Sequence, residues 1–289
     1  MTFRVRQLGR GAKRENIKDV YGFTDEKYEC EDLLGAIAES SAEVFLAHMR
    51  GEVIGAANAR LNDDGVSAEV FVCVKEQYRN MGAGTRLLEL ELAHMKRIGI
   101  TRANAFINAR SADGTRFAES NGFLRHMVTY KLLYCGKGIA NKPHKGIVCY
   151  DDSWFERVIA LRNSGIKEAD ALYGIGQSDL YSIDDDELRR DMCERSECMF
   201  MVCEGEKLTG FAIADIDGAE IRAVNVAREA RGTGLGQALV ERCIAELIAR
   251  GERNPCLFVT EKNITARMLY DKCGFKQVGT YYDYYKEID

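Results

Sequence analysis

The sequence predicts a mixed α/β fold in two tandem domains, and two observations lead to this prediction. First, the segment Arg-x-x-Gly-x-Gly occurs at positions 79–84 and again at 231–236, so the copies are 152 positions apart (231 − 79). The same interval relates Leu87 to Leu239 and Gly122 to Gly274. Second, an apolar strand precedes the glycines in both copies and an amphipathic helix follows them. A duplicated strand–turn–helix unit places strands and helices in each half.

Short apolar runs between turn residues indicate the strands that precede each glycine turn. In the first half, Ala42–Met49 and Glu52–Arg60 form a predicted hairpin about Arg50-Gly51, and a further strand ends at Val74. The second half has the same order, with predicted strands at Cys198–Cys203, Lys207–Ile216 and Glu220–Val226. The helix after the second turn has apolar residues at helical spacing, at Leu235, Leu239, Val240, Ile244, Leu247 and Ile248.

A basic segment with turn residues separates the two halves. Residues 135–146 contain three glycines and one of the two prolines in the chain, a composition typical of a linker. We therefore predict domains at residues 1–138 and 147–289, joined by a linker at residues 139–146. Each domain has roughly 140 residues, which is enough to bury a hydrophobic core.

Composition and charge limit the functional classes. The chain has 289 residues with 45 acidic and 40 basic side chains, a net charge of −5 and a pI near 5.6. The acidic excess lies in the second half, which argues against a nucleic-acid partner and for a cationic acceptor. No apolar run approaches the ~20 residues of a membrane span, and no signal-peptide core follows Arg4 and Arg6. We expect a cytoplasmic protein without a membrane partner.

The ten cysteines raise the alternatives of a metal site or of disulfides. They form no C-x-x-C pair, and no histidine accompanies the evenly spaced Cys193, Cys198 and Cys203. We therefore expect no bound metal. Cys198 and Cys203 are expected to be small apolar residues in or beside a buried strand.

The glycine turn predicts an anion-binding site. Backbone N–H groups at the start of a helix lack intrahelical acceptors, and the helix dipole favours negative charge there. Glycine keeps side chains out of the way of a phosphate. Two familiar phosphate loops do not fit: a dinucleotide-binding fingerprint needs a third glycine where Gln237 stands, and neither copy has the Gly-Lys-Ser/Thr of a nucleoside triphosphatase. We expect phosphate binding without phosphoryl transfer.

At this point the residues resemble a known family. The turn, together with Asn263-x-x-Ala266-x-x-x-Tyr270-x-x-x-Gly274-Phe275, is similar to the two core motifs of the GNAT superfamily of acetyl-CoA-dependent N-acetyltransferases. The resemblance covers nearly the whole chain as two tandem domains, and it implies a mixed, mostly antiparallel twisted sheet flanked by helices in each. It also implies that the turn holds the pyrophosphate of acetyl-CoA. The implied cofactor-binding residues are Asn225, Val226, Arg231, Gly232, Thr233, Gly234, Leu235, Gly236 and Asn263, with a second set at Val74, Arg79, Asn80, Met81, Gly82, Ala83 and Gly84.

Tyr270 occupies the position where many members of the superfamily carry a tyrosine that protonates the leaving sulfur. A phenol of pKa ~10 facing a thiolate of pKa ~8.5 is a suitable hydrogen-bonding acid, given some environmental tuning. Ala266, Tyr270 and Cys273 also follow the spacing of a buried helix face, so a packing role stays open. The resemblance further implies that backbone N–H groups around Asn225 and Val226 hold the acetyl carbonyl.

Glu220 lies eleven residues before Arg231, the distance at which histone-acetylating members of the superfamily place a general-base glutamate. A carboxylate there could act through water on the acceptor amine. A solvated residue just after the Asp217-Gly218 turn is the alternative, and Asp215 and Asp217 are other candidates for the same role.

The first half departs from the superfamily at these positions. Ala118 stands where the tyrosine is expected, Ala68 stands where the glutamate is expected, and Ser111 replaces the asparagine. We therefore expect the second domain to catalyse and the first to be a degenerate partner, which still binds coenzyme A or has lost it.

The resemblance implies transfer of an acetyl group from acetyl-CoA to a primary amine of a small molecule or peptide, by direct attack. A covalent cysteine intermediate is disfavoured, because no cysteine is joined to a histidine in a motif. Two alternatives stay open: a non-catalytic acyl-CoA-binding sensor or assembly module, and an enzyme resembling mycothiol synthase, another tandem member. We expect a monomer or a homodimer.

Overall fold

The computed structural model describes residues 3–7, 43–62, 65–136, 146–174 and 180–288. Their strands are β1 Arg4–Gln7, β2 Val44–Met49, β3 Glu52–Leu61, β4 Ser67–Val74, β5 Arg102–Asn108, β6 Leu124–Tyr134, β7 Ile147–Cys149, β8 Met199–Glu204, β9 Lys207–Asp215, β10 Glu220–Val226, β11 Cys256–Thr260 and β12 Phe275–Glu287. Their α-helices are α1 Ala83–Arg97, α2 Ala112–Ser120, α3 Phe155–Tyr173, α4 Asp186–Glu194, α5 Leu235–Ala249 and α6 Ile264–Lys272.

The chain forms two compact units, and neither is continuous in sequence. The first comprises residues 1–107, 111–126 and 283–289, and the second comprises residues 108–110 and 127–282. Each contains one parallel strand pair among antiparallel ones, β4–β5 in the first unit and β10–β11 in the second. The predicted mixed, mostly antiparallel sheet flanked by helices is confirmed in both.

In the first unit, strands β1 to β5 lie side by side in chain order. The β2–β3 hairpin turns at Arg50 and Gly51, whose φ values of 52° and 85° match the turn type that suits the twist of paired strands. Helix α1 buries Leu87, Leu88 and Met95 in the unit interior.

In the second unit the strand order is β7-β8-β9-β10-β11-β6, followed by the first part of β12. Alternate residues of β8 enter different cores, because successive side chains of a strand point to opposite faces. Phe200 packs in the cluster that contains Leu239 and Val240 of α5, whereas Met201 packs with Phe155 and Val158 of α3. Helices α3 and α5 therefore cover opposite faces of this sheet.

Each unit contains part of the last strand of the other sequence repeat. Residues 127–134 of β6 pair antiparallel with β11 in the second unit, with Thr129 opposite Thr260 and Leu133 opposite Cys256. In the first unit the end of β12 lies beside β5, where Ile288 N–H donates to the Thr101 carbonyl at 2.8 Å. The compact units therefore differ from the contiguous ranges 1–138 and 147–289, which stay a prediction about the repeats. Of the predicted linker 139–146, only Gly146 is among the described residues.

A substitution at Leu132 tests whether β6 packs in the core of the second unit. Its side chain is buried in the core cluster that includes α5, so Leu132→Ala is expected to reduce the free energy of unfolding by about 2–5 kcal/mol. The accompanying loss of hydrogen-exchange protection should appear in α5 and β11. Leu124→Ala is the matched control, since Leu124 lies on the same strand and is 60% exposed. Protection lost in α1 instead of α5 would contradict the assignment.

A carboxyl group lies in the interior of the first unit. Glu91 of α1 is fully buried, and neither of its carboxylate oxygens has a hydrogen-bond partner in the described part of the chain. Burial, reinforced by the carboxylate of Glu43, raises the pKa of Glu91 to about 8. Glu43 itself pairs with His94 and Arg97. The matching position in the second repeat, 152 residues later, is the buried Cys243.

Glu91 should make stability depend on pH. The pKa of the folded state, about 8, lies above the unfolded value of ~4.3, so the folded state holds an extra proton between these values. The free energy of unfolding should fall as pH rises through this window, by up to ~1.4 kcal/mol per pH unit. Glu91→Gln should remove this slope in chemical denaturation, whereas Glu89→Gln, an exposed position on the same helix, should retain it. An unchanged slope in Glu91→Gln would refute the assignment.

Candidate active site

Both glycine turns adopt the same backbone conformation. Gly232 and Gly234 have φ values of 79° and 90°, and α5 starts at the next residue. The matching positions in the first unit, Asn80 and Gly82, have φ values of 60° and 84°. Glycine adopts these left-handed values without strain, and asparagine is one of the few other residues that tolerate this region. The two repeats therefore present helix N-termini of the same kind.

The N-terminus of α5 offers unpaired backbone donors. No side chain caps the helix, its first turn has no acidic residue, and its first backbone hydrogen bond runs from Ala238 N–H to the Gly234 carbonyl at 3.1 Å. The N–H groups of residues 235–237 therefore have no intrahelical acceptor. A Cβ built on Gly232 or Gly234 would have no described atom within 4 Å. An anion can approach these donors closely.

The last glycine of each motif is explained by close packing and not by its backbone conformation. A Cβ on Gly236 would lie 3.3 Å from Leu269 Cδ2 of α6 and 3.5 Å from Val226 Cγ2. On Gly84 it would lie 3.2 Å from the ring of Phe117 in α2. These glycines let a helix pack closely against the strand and the following helix, so room for phosphate does not explain them.

The arginine that opens each motif fixes the turn to the preceding strand. Arg231 Nε donates to the Val226 carbonyl at 3.0 Å, and Arg79 Nε donates to the Val74 carbonyl at 3.1 Å. Nη2 of Arg231 pairs with the carboxylate of Glu168 in α3 at 2.8 Å. Each arginine therefore links its turn to the last residue of the preceding strand.

Parallel strands separate just before each turn. The pairing of β10 with β11 is confined to Glu220 opposite Cys256, and β10 then continues to Val226 without that neighbour. Ala227 N–H donates to the Thr209 carbonyl at 2.9 Å, on the β9 side. Because successive residues direct their N–H groups to opposite sides of a strand, Val226 N–H points into the gap. In the first unit the pairing of β4 with β5 ends at Glu69.

Strand β10 contains a bulge that its counterpart β4 does not have. The register between β9 and β10 shifts between Arg222 and Asn225, and Ala223 has a φ of 51°. Asn225 Nδ2 donates to the Ala223 carbonyl at 2.8 Å across the bulge. Strand β4 keeps a regular register with β3 from Ala68 to Val74. Bulges re-aim backbone and side-chain groups and are frequent beside active sites, so the two gaps differ in shape.

Tyr270 lies in the core of the second unit. It packs on α6 with 8% of its surface exposed, and its ring meets that of Phe275 edge-on at 6.0 Å between centroids. Burial, with smaller contributions from Cys273 and Cys243, raises the pKa of Tyr270 above its ordinary value of 10.0. The packing role indicated by helical spacing is therefore present. The acid role stays a prediction, and a phenol of raised pKa suits hydrogen-bond donation better than full proton release.

Glu220 is a largely buried strand residue and not a solvated turn residue. Its side chain is 17% exposed, and Arg222 bridges it to Asp215, with 3.2 Å contacts to each carboxylate. Burial raises the pKa of Glu220 above 4.5, Arg222 opposes this, and Asp215 reinforces it. A carboxylate with a raised pKa is a stronger base. Asp217, another candidate for the general base, has no comparable contact among the described residues.

Asn263 serves as the N-cap of α6. Its Oδ1 accepts a hydrogen bond from Ala266 N–H at 3.1 Å, as Ser111 Oγ accepts one from Gly114 N–H at 3.2 Å at the start of α2. The change from asparagine to serine in the first repeat therefore preserves helix capping. Cofactor binding by Asn263 stays a prediction.

Sequence reasoning missed contacts between α3 and the strand ends. Tyr173 Oη accepts a hydrogen bond from Lys262 N–H at 3.0 Å, and the Lys262 ammonium lies 4.5 Å from the centre of the Tyr173 ring. Glu168 pairs with Arg231 as described. These pairs are 63 and 89 residues apart in sequence and carry no local pattern, so no sequence signal could have found them.

The described residues form neither a metal site nor a membrane-spanning helix. No group of three or more histidine, cysteine, aspartate or glutamate side chains is arranged to hold a metal ion. None of the described helices is long and apolar enough to cross a membrane.

The protein is an acyltransferase, as its family and its named relatives show. The chain belongs to the acetyltransferase (GNAT) family, whose model matches residues 12–123 and 168–275. The match to both halves agrees with the repeat in the sequence.

Individual relatives support this classification. The chain is 26% identical over 273 residues to a mycothiol acetyltransferase from Stackebrandtia nassauensis, covering 88% of this chain and 85% of the relative. It is 33% identical over 92 residues to the [ribosomal protein bS18]-alanine N-acetyltransferase of Escherichia coli, covering 31% of this chain and 62% of the relative.

Two solved structures share the fold over nearly the full length. A GCN5-related N-acetyltransferase from Sphaerobacter thermophilus matches with a TM-score of 0.75 at 18% identity, covering 99% of this chain and 96% of the other. A tandem GNAT protein from the clavulanic acid biosynthesis pathway matches with a TM-score of 0.70 at 16% identity, covering 100% and 99%. The tandem arrangement is therefore shared with a protein of known structure.

Proposed function

We propose that the chain transfers an acetyl group from acetyl-CoA to a primary amine by direct attack, and that the second repeat performs the chemistry. The observation that carries this proposal is the bulge at Ala223 beside the open β10–β11 gap, which has no counterpart in β4. The residues of the gap fit the three demands of the reaction, which are a proton acceptor, a donor for the carbonyl oxygen and a donor for the sulfur.

The cofactor fits the turn of α5. Its pyrophosphate would meet the free N–H groups of residues 235–237, where the helix dipole favours negative charge. The open space before Gly232 and Gly234 leaves those donors accessible. The acyl arm would then run along the unpaired edge of β10, with the acetyl carbonyl at Val226 N–H. Acetyl-CoA supplies the activated thioester, and the protein orients it.

The proposed base and the proposed acid lie on opposite faces of β10. Ile221 packs in the α5-side core together with Tyr270, so its strand neighbours Glu220 and Arg222 point to the opposite face, which α3 covers. An amine can therefore lose its proton to Glu220 on one side while the sulfur departs toward Tyr270 on the other. This separation suits a direct displacement.

Buried thiols support direct attack over a cysteine intermediate. Burial raises the pKa of Cys256 to about 11 and that of Cys273 to about 12, and it raises the pKa of Cys243 as well. Thiols with these pKa values are protonated near neutral pH and are poor nucleophiles. These core cysteines are therefore packing residues.

A second candidate is the acetylation carried out by mycothiol acetyltransferases. The relative of that name from Stackebrandtia nassauensis matches 88% of this chain, which includes both repeats. An acceptor with an amino group and a thiol belongs in any substrate screen for this reason. A non-catalytic acyl-CoA-binding module is the alternative of another class.

Glu220→Gln tests the base. In the wild type, log kcat/KM should rise with pH through the raised pKa of Glu220, above 4.5, because the base must be ionised. In the variant this limb should vanish and kcat/KM should fall about 10²–10⁴-fold. Glu206→Gln, an exposed position in the β8–β9 turn, should keep the wild-type profile. An unchanged acidic limb in Glu220→Gln would move the role to Asp215.

Two matched variants of the glycine turns test which repeat performs the acetyl transfer. Gly234→Asp and Gly82→Asp each place a carboxylate beside the first turn of a helix, where it repels a pyrophosphate. We expect Gly234→Asp to abolish thiol release from acetyl-CoA across a panel of amines, amino acids, polyamines, aminoglycosides, amino-thiols and peptide N-termini. Gly82→Asp should retain most of it.

Three outcomes would overturn parts of this proposal. Activity that survives Tyr270→Phe combined with Glu220→Gln, but is lost in Gly82→Asp, would assign the chemistry to the first repeat. Coenzyme A binding without turnover on any amine would favour the binding module. A burst of thiol in the absence of acceptor would indicate a covalent intermediate.

A further inference from the structure

Asn225 lies between the bulge of β10 and helix α3. Its Nδ2 donates to the carbonyl of Ala223 at 2.8 Å, and Ala223 holds a left-handed φ of 51° that a residue with a Cβ adopts at a cost. The side chain therefore bridges the two ends of the bulge. Its amide oxygen faces away from this bond, toward α3.

Gly165 provides the space that this amide occupies. A Cβ built on Gly165 would overlap Asn225 Oδ1 and lie 3.4 Å from Asn225 Cγ. Gly165 lies well inside α3, where glycine is ~1 kcal/mol less favourable than alanine. Helix formation therefore does not explain a glycine here, whereas the close approach of Asn225 does.

We propose that Gly165 is a positioning residue for acetyl transfer. Its missing side chain lets Asn225 seat against α3, Asn225 then holds the Ala223 carbonyl, and the bulge directs Val226 N–H into the gap. This inference rests on the proposed function, because the N–H group concerned is the one assigned to the acetyl carbonyl. It places one determinant of the reaction on helix α3, outside the glycine turn.

Gly165→Ala separates this role from a purely structural one. Alanine improves helix propensity, whereas the displaced Asn225 amide loses its hydrogen bond, so the melting temperature should stay close to that of the wild type. The displaced amide should lower kcat about 10- to 100-fold, since a misplaced oxyanion donor has effects of this size. KM for acetyl-CoA should stay within about twofold, because the turn is untouched. Ser164→Ala, an exposed neighbour on the same helix, should change neither constant.

A double-mutant cycle identifies the partner. Asn225→Ala should lower kcat by a similar factor, and adding Gly165→Ala to it should cost nothing further, because the overlapping amide is gone. Additive effects, or a Gly165→Ala variant with kcat within twofold of wild type, would overturn the proposal.

A crystal structure of Gly165→Ala keeps the test independent of turnover. We expect the Asn225–Ala223 hydrogen bond to be lost and the register of β10 with β9 to change after Arg222. If the wild type acetylates no amine, the proposed function fails, and this crystal structure alone decides the inference. Retention of the Asn225–Ala223 bond would refute it.

Discussion

In both units the parallel strand pair behind the glycine turn separates after one to three residue pairs, and the rest of the site depends on that separation. A strand inside a sheet normally has its backbone groups paired on both sides. Beyond Glu220, β10 has β9 on one side and a gap on the other. The edge of β10 is therefore open to a ligand in place of a neighbouring strand, directly before the helix N-terminus that we propose binds the ligand's phosphates.

The same scaffold occurs twice, and the copies differ in the residues proposed for the chemistry. Both turns share left-handed conformations and an arginine that holds the strand carbonyl. Their surroundings differ: β10 is bulged where β4 is regular, Tyr270 stands where the first repeat has Ala118, and Glu91 is buried where the second repeat has Cys243. A buried carboxyl without partners is costly to stability, and the second repeat has an apolar residue at this position.

Burial raises the pKa of both groups proposed for proton transfer. The ionised forms of Glu220 and Tyr270 are each disfavoured by removal from water, so both pKa values are raised. For the carboxylate this means a stronger base nearer neutral pH. For the phenol it means a retained proton and a hydrogen-bond donor for the sulfur. Arg222 limits the shift of Glu220, so the site keeps an ionisable base.

The sequence by itself determined the repeat and the strand–turn–helix order, because glycine spacing and apolar periodicity are local properties. It also predicted anion binding at the turn and indicated the buried face of α6 that carries Tyr270. Only the tertiary structure placed β6 in the second unit, showed that Gly236 is needed for packing, and brought Gly165 against Asn225. These features arise from contacts between residues far apart in the chain, where a side chain or its absence matters only through its neighbour, and no local pattern encodes them.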